Sequence, residues 1–245
     1  MIPKTIHYCW FGRGPKPALV ISCMESWRKY LPDYRFVEWN EDNFDIDRWP
    51  YAREAYDNKK YAFVSDVARL YALYTEGGVY LDTDVELLSS MDPFLHHEAF
   101  TGFERGVDVT SGIMGARKGS PWIKENLDWY EGKHFQAEDG SLDLTINVRR
   151  ITDFLVARGF RRDNTYQEIE GFVTVYPGDY FSPLDPLTRK IHKTGNTVTI
   201  HHYLASWEPM TPVLMFRKIV MRTLGVDAYN RIRAIKLKLF PKPWK

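Results

Sequence analysis

The chain has 245 residues, enough for one large domain or for one domain with an appendage. Apolar residues make up 44% and aromatic residues 15%, which allows a sizeable core and excludes a disordered chain. The net charge of +1 excludes bulk electrostatic attraction to nucleic acid.

The first predicted element is a strand over residues 6–11, which the glycines and proline of residues 12–15 end in a loop. The start of the chain lacks the charged residues and long apolar run of a secretory signal, and the sequence contains no apolar run of about 18 residues. Cys9 and Cys23 are too few for a disulfide framework, so we expect both to be buried thiols. These features favour a cytoplasmic location.

Helices and strands then alternate. The predicted helices cover residues 18–30, 51–76, 122–130 and 145–158. The predicted strands cover residues 35–39, 79–81, 85–88, 100–103, 112–116, 172–176 and 197–202. Such alternation predicts an α/β layered sheet, in which ligands collect at the carboxyl ends of strands. Trp10, Asp82 and His202 lie at such ends, so we expect them to share one site.

Two aspartates, Asp82 and Asp84, follow the strand predicted at residues 79–81. Hard cations such as Mn²⁺ or Mg²⁺ prefer carboxylate oxygens, and a departing diphosphate needs such a cation to offset its charge. The spacing therefore favours a metal and phosphate site, although solvated acids in a turn would give the same triplet.

The preceding helix carries Asp66 and Arg69 three residues apart, on one face. They form an ordinary helix ion pair, or they bind sugar hydroxyls and a phosphate, for which a guanidinium is suited. Spacing alone leaves both interpretations open.

Longer motifs distinguish between them. The runs FVSDVAR at residues 63–69 and YTEGGVYLDTD at residues 74–84 resemble the DXD sugar-binding glycosyltransferases. That family includes bacterial capsular and lipopolysaccharide transferases, and the yeast initiating mannosyltransferase and the clostridial glucosylating toxins are similar. The opening IPKTIHYCWFG and the late HHYLASW also resemble family motifs. The resemblance implies a Rossmann-like glycosyltransferase type A fold and a nucleotide-sugar donor.

The same resemblance implies the donor-site residues. Trp10 would stack on the nucleobase, although a core tryptophan is the alternative. Asp66 would orient sugar hydroxyls, and Arg69 would stabilise the leaving diphosphate. Asp84 would bind Mn²⁺ or Mg²⁺, while Asp82 would be shared between metal and donor.

The late motif implies a loop over the diphosphate, with phosphate contacts from Ser206 and Trp207. Neighbouring residues of a strand face opposite sides, so only one of its two histidines can reach the site. We favour His202, which is nearer the loop, as the metal or phosphate ligand.

The acceptor side is less defined. Ser111 stands where the family usually has asparagine. Glu104, Asp108 and Ser111 are the candidates for acceptor binding. Asn147 either lines the acceptor cleft or caps a helix.

The end of the chain differs in charge from the rest. Residues 209–245 carry nine Lys or Arg and one acid, whereas the remainder has 24 basic and 31 acidic residues. We predict a catalytic domain over residues 1–208 and a basic helical extension over residues 209–245. The extension either lies on the inner face of a membrane or packs on the acidic domain.

The family resemblance implies a retaining, metal-dependent hexosyltransferase that uses a nucleotide-diphosphate sugar, with UDP favoured. We expect a glycan acceptor, either free or carried on a lipid, in the synthesis of a capsule or another surface polysaccharide. One rival is a metal-dependent nucleotidyltransferase or sugar-phosphate hydrolase, for which the phosphate loop is missing. The other is an inactive sugar-nucleotide-binding module docked to a membrane complex by its basic tail.

Overall fold

The computed structural model describes residues 1–186 and 188–204. Its strands are β1 (Thr5–Cys9), β2 (Arg35–Trp39), β3 (Gly78–Leu81), β4 (Val85–Leu87), β5 (Ala99–Glu104), β6 (Asp108–Val109), β7 (Ile113–Ala116), β8 (Gln167–Ile169), β9 (Val173–Tyr176) and β10 (Thr199–His201). Its helices are α1 (Ala18–Tyr30), α2 (Pro50–Asp57), α3 (Tyr61–Glu76), α4 (Pro121–Asp128), α5 (Asn147–Val156) and α6 (Gly178–Phe181), and a 3-10 turn covers Asp92–Phe94.

The central sheet has the strand order β2-β1-β3-β7-β5-β9-β8, and β6 pairs with β5 beside it. The pairs β1–β2, β1–β3 and β5–β9 are parallel, whereas β3–β7, β5–β7 and β8–β9 are antiparallel. The predicted α/β class is confirmed, with a sheet of mixed direction.

The sheet lies between two apolar clusters because successive strand residues face opposite sides. Ile6 and Tyr8 of β1 belong to the apolar cluster that includes residues of α1 and α6, whereas Cys9 belongs to the cluster that includes residues of α2, α3, α4 and α5. All residues of β1, β3, β5 and β7 are buried, as expected for strands covered on both faces. Cys9 and Cys23 are free and buried, as predicted.

The single helix predicted over residues 51–76 is two helices. α2 ends at Asp57 and α3 begins at Tyr61. Lys59, between them, has a φ of 56°, a left-handed conformation that an α-helix does not continue through. The apolar period hides this break because buried residues lie on both sides of it. At the other end of α3, Gly77 has a φ of 68°, in accord with the predicted glycine stop.

The strand predicted to continue after the acidic triplet belongs to a second sheet. β4 pairs antiparallel with β10, and His201 stands opposite Val85. The turn at residues 82–84 therefore separates two sheets, and the end of β10 lies beside it. The short elements β6, β8 and α6 were not predicted, because they have too few residues to show a period.

Several predictions concern residues outside the described ranges. Ser206, Trp207 and the basic extension over residues 209–245 are among them. In the part of the chain that the structure describes, no helix has the length and apolar character needed to cross a membrane.

Candidate metal and donor site

The acidic turn is fixed by backbone hydrogen bonds on both sides. The amide of Asp82 donates to the Gly112 carbonyl of the neighbouring segment at 2.8 Å, and the Val85 amide donates to the Asp82 carbonyl at 3.0 Å. The Tyr80 hydroxyl donates to Oδ1 of Asp82 at 2.8 Å. The side chain of Asp82 is thus held at the end of the buried strand β3.

Asp82, Asp84 and His201 form a compact group. One ligand atom from each lies within 4.8 Å of the others. Nε2 of His201 is 3.4 Å from Oδ1 of Asp84 and 3.8 Å from Oδ2 of Asp82. Two carboxylates and an imidazole are a donor set that suits a divalent cation such as Mn²⁺. The residues present therefore fit the cation that the sequence implies.

The structure reverses the assignment of the two histidines. His201 lies beside both acids, whereas Nε2 of His202 is 2.9 Å from a carboxylate oxygen of Glu86. Because β10 ends at His201, the last residue of the strand faces the acidic turn and the next residue faces away from it. His202 contributes its backbone instead, donating from its amide to the Asp84 carbonyl at 2.9 Å.

Asp84 and His201 stabilise each other's charged forms. Burial opposes ionisation of Asp84, but the charge of His201 and hydrogen bonds from His201 and the Leu204 amide lower its pKa to about 2. Burial likewise opposes the charge on His201, and Asp84 and Asp82 outweigh it and raise its pKa to about 9. Without a cation, a proton on His201 thus offsets the charge of the acids.

Gly112 leaves the space in which this group fits. A Cβ atom at residue 112 would lie 2.9 Å from Oδ2 of Asp82 and 2.9 Å from Cε1 of His201. Both distances are shorter than ordinary contacts between such atoms. A side chain at this position would therefore displace Asp82 or His201.

A buried polar network adjoins the acidic turn. Nη2 of Arg69 is 2.9 Å from Asp66, and its Nη1 is 3.2 Å from Asp82. Nη1 also donates to the backbone carbonyl of Ser111 at 2.6 Å. The Asn147 amide donates to Asp66 at 2.7 Å and accepts from the Ser111 hydroxyl at 2.9 Å. Five side chains from four segments are thereby joined.

Charge and burial compete in this network. Burial raises the pKa of Asp66 to about 6, although Arg69 and Arg150 oppose the shift. Burial alone would lower the pKa of Arg69, and the nearby Asp82, Tyr80 and Asp66 raise it instead. Arg69 therefore stays charged between two acids.

Trp10 lies at the end of β1 and lines the same cavity, half-buried. Its indole Nε1 donates to the Gly14 carbonyl at 2.7 Å, and the ammonium of Lys16 is 5.3 Å from the centre of the ring. The ring of Tyr61 lies against the position that a Cβ atom at Gly12 would occupy, so this loop passes close to α3. An aromatic ring that is oriented but not enclosed can present a face to a ligand.

The cavity has a volume of about 1300 Å³ and joins these groups. The predicted residues that line it are Trp10, Asp66, Arg69, Asp82, Asp84, Glu104 and Ser111. His202 and Asp108 do not line it, and Asp108 instead lies 3.3 Å from Arg162.

Part of this wall was not predicted from the sequence. The sequence predicted Asn147 either to line the cleft or to cap a helix. Its side chain donates a hydrogen bond to Asp66 and does not cap α5. Tyr203 was not singled out, although it stacks on His201 with ring centres 4.1 Å apart. Its place in the HHYLASW motif was the available signal.

Residues 17–101 match the family model "Glycosyltransferase sugar-binding region containing DXD motif". The matched segment includes Asp66, Arg69, Asp82 and Asp84, and Trp10 and His201 lie outside it. The resemblance predicted from the motifs is confirmed over this segment.

Curated relatives match about half of the chain. It is 32% identical over 126 residues to inositol phosphoceramide mannosyltransferase 3 of Schizosaccharomyces pombe, covering 50% of this chain and 35% of the relative. It is 28% identical over 134 residues to mannosyl phosphorylinositol ceramide synthase SUR1 of Saccharomyces cerevisiae, covering 52% and 34%. The chain thus spans about a third of the length of these relatives.

Solved structures with a similar chain path include a glycosyltransferase involved in the glycosylation of the major capsid of PBCV-1, at 12% identity and a TM-score of 0.49 over 89% of this chain and 98% of that one. Another is the galactosyltransferase LgtC in complex with donor and acceptor sugar analogs, at 13% identity and a TM-score of 0.46 over 93% and 99%. At these scores, neither likeness supports a conclusion about function.

Proposed function

We propose that this chain, whose residues 17–101 are a DXD-type glycosyltransferase sugar-binding region, is a metal-dependent glycosyltransferase of the type A fold. It would transfer a hexose from a nucleotide-diphosphate sugar to a glycan acceptor. One observation carries the proposal. The group formed by Asp82, Asp84 and His201 lies in the same cavity as the Asp66–Arg69 ion pair, and Arg69 contacts Asp82.

In this proposal Asp82, Asp84 and His201 hold Mn²⁺ or Mg²⁺. When bound, the cation supplies positive charge that offsets the charge developing on the leaving diphosphate. The short separations within the group support this assignment. Binding of the cation would displace the proton that His201 carries in its absence, because only a neutral imidazole donates to a metal.

Arg69 and Asp66 have separate roles in the proposal. The Arg69 guanidinium is held by three oxygen-bearing groups, so its charge stays fixed beside the position proposed for the diphosphate. Asp66, oriented by Arg69 and Asn147, accepts hydrogen bonds from hydroxyls of the donor sugar. Trp10, at the end of β1, stacks on the nucleobase.

We further propose that the anomeric configuration is retained. Asp66 lies near the proposed sugar position, but Arg69 and Asn147 already hold its carboxylate, which disfavours it as a covalent nucleophile. Departure and attack on one face of the sugar then fit best, with a phosphate oxygen taking the acceptor proton.

The donor and acceptor are proposed only by class. The family resemblance favoured UDP, whereas the relatives' names describe mannosyltransferases that act on inositol phosphoceramide. Those names favour a mannose donor and an acceptor carried on a lipid. A role in capsule or surface polysaccharide synthesis, a cytoplasmic location and membrane attachment through residues 209–245 remain predictions.

An inactive binding module is the second candidate, because it could keep the nucleotide contacts without transfer. A panel of UDP- and GDP-hexoses with Mn²⁺ separates the two. We expect at least one donor to raise the melting temperature and to release nucleotide, with faster release when a sugar acceptor is added. Stabilisation without release would support the binding module. A panel in which no donor stabilises the protein or releases nucleotide would refute both.

A further inference from the structure

The wall of the cavity beside His201 carries three polar groups to which the proposed donor site gives no role. Glu104 at the end of β5, Ser182 just after α6, and Tyr203 just after β10 all line the cavity. They come from three separate segments, so their meeting is a result of the fold.

Two of these groups are buried hydroxyls without a hydrogen-bond partner in residues 1–186 and 188–204. Ser182 is 8% exposed, and its Oγ and the Oη of Tyr203 are both unpaired. The two hydroxyls lie near each other, but no well-formed hydrogen bond joins them. Buried hydroxyls are seldom left unpaired, so a pair of them on a cavity wall indicates a ligand that supplies the missing partners.

Tyr203 is held in place at a conformational cost. Its φ of 50° is left-handed, which is rare for a residue with a Cβ atom. Its neighbours are anchored, since the Leu204 amide donates to Asp84 at 2.7 Å and Arg189 donates to the His202 carbonyl at 2.6 Å. The ring stacks on His201 at an interplanar angle of 29°. Strained residues fixed in this way are concentrated at functional sites.

Glu104 adds a carboxylate to the same wall. It is 5% exposed, and the charges of His201 and of the exposed Arg105 guanidinium, whose Nε is 3.9 Å from Oε1, both act on it. That distance is too long for a hydrogen bond, so the ion pair leaves acceptor capacity on the carboxylate. A carboxylate beside two hydroxyls is a set that pairs with the hydroxyl groups of a sugar.

The charges around this wall bear on the class of ligand. The cavity lining nearby includes the carboxylates of Asp179 and Asp185, with Arg105 and His192 as the basic groups. With Glu104 there are three carboxylates, against the guanidinium groups of Arg105 and of Arg189, which donates to the His202 carbonyl next to Tyr203. Such a lining disfavours a uronic acid or a phosphate and favours a neutral ligand.

We propose that Glu104, Ser182 and Tyr203 form a subsite that binds the hydroxyl groups of a neutral sugar acceptor. The proposal rests on the proposed glycosyltransferase function, since the subsite adjoins the metal and donor groups through the stacking of Tyr203 on His201. Glu104 and Ser111 were both candidates for acceptor binding. The structure favours Glu104, because the Ser111 hydroxyl is already bonded to Asn147.

Saturation-transfer NMR on the full chain with the diamagnetic cation Mg²⁺ and UDP or GDP tests the subsite. The probes are methyl α-mannopyranoside and myo-inositol, with methyl β-glucuronide as the charged comparison. We expect both neutral probes to bind the unmodified protein more tightly than the uronide. Ser182→Ala and Tyr203→Phe should each weaken the neutral probes about 3- to 10-fold, the effect of one lost hydrogen bond. Tyr30→Phe, a tyrosine outside the cavity lining, is the matched control.

The outcomes separate the subsite from the proposed function. Absence of binding by both neutral probes, preference for the uronide, or unchanged affinity in both variants would overturn the subsite. Nucleotide affinity, measured in the same samples, tests the donor site. If the protein binds no nucleotide, the proposed function fails as well. If nucleotide binds and the variants keep full affinity for the neutral probes, only the subsite is wrong.

Discussion

Side-chain direction decides which residue of a motif reaches the site. The DXD spacing and the Asp66–Arg69 spacing could be predicted from the sequence because both lie within one local segment. The choice between His201 and His202 could not, because a shift of one residue in the pairing of β10 exchanges the faces of the strand. The pairing of His201 with Val85 settles that register, and it is a contact between distant parts of the chain.

Substitution of the two histidines should have different effects on metal binding. His201→Ala removes one of three grouped ligand atoms and should weaken Mn²⁺ binding at least about 10-fold. His202→Ala removes a side chain paired with Glu86 and should change affinity by less than about 3-fold. Electron paramagnetic resonance of free Mn²⁺ measures both. A larger loss in His202→Ala would contradict the assignment.

A second prediction for a single residue concerns the effect of Gly112 on metal affinity. In Gly112→Ala the added methyl group would displace Asp82 or His201, so Mn²⁺ affinity should fall about 10-fold or more while the fold persists. Gly195→Ala is the matched control, since no atom lies within 4 Å of a Cβ placed there. Calorimetric titration of Mn²⁺ compares them. Equal affinities in the two variants would show that the space at Gly112 is unimportant.

Elements were predicted best where they are long and apolar on one side. The bounds of α1 and β2 are those predicted, because each is a local pattern between clear stops. The break between α2 and α3 was missed, since it depends on the backbone of Lys59 rather than on apolar spacing. Asp66 and Arg69 of α3 are held by Asn147 and Ser111, which lie far away in sequence.

Arg69 is the residue of α3 on which this arrangement depends most. Arg69→Ala would leave Asp66 buried without its ion partner, and we expect a loss of about 3–5 kcal/mol in the free energy of unfolding. Arg53→Ala, at an exposed helix ion pair with Asp57, should cost less than about 1 kcal/mol. Urea unfolding at neutral pH compares the two. Similar losses would mean that the buried network contributes no more than a surface pair.

At the scale of the whole molecule, the alternation of helices and strands predicted the α/β class. It did not predict the mixed direction of the sheet, because strand direction depends on which distant strands pair. The cavity illustrates the same limit. Its wall is built from residues 9–20, 59–69, 80–84 and the segments after residue 104, and their common position follows from the sheet order.

Metal-dependent turnover tests the central proposal most directly. With the donor found in the hexose panel, the initial rate of nucleotide release should fall at least about 100-fold in EDTA and recover when Mn²⁺ is restored. Asp84→Asn should abolish this recovery, whereas Asp45→Asn, at an exposed aspartate, should keep it. Release that is equally fast in EDTA and unaffected by Asp84→Asn would contradict the account.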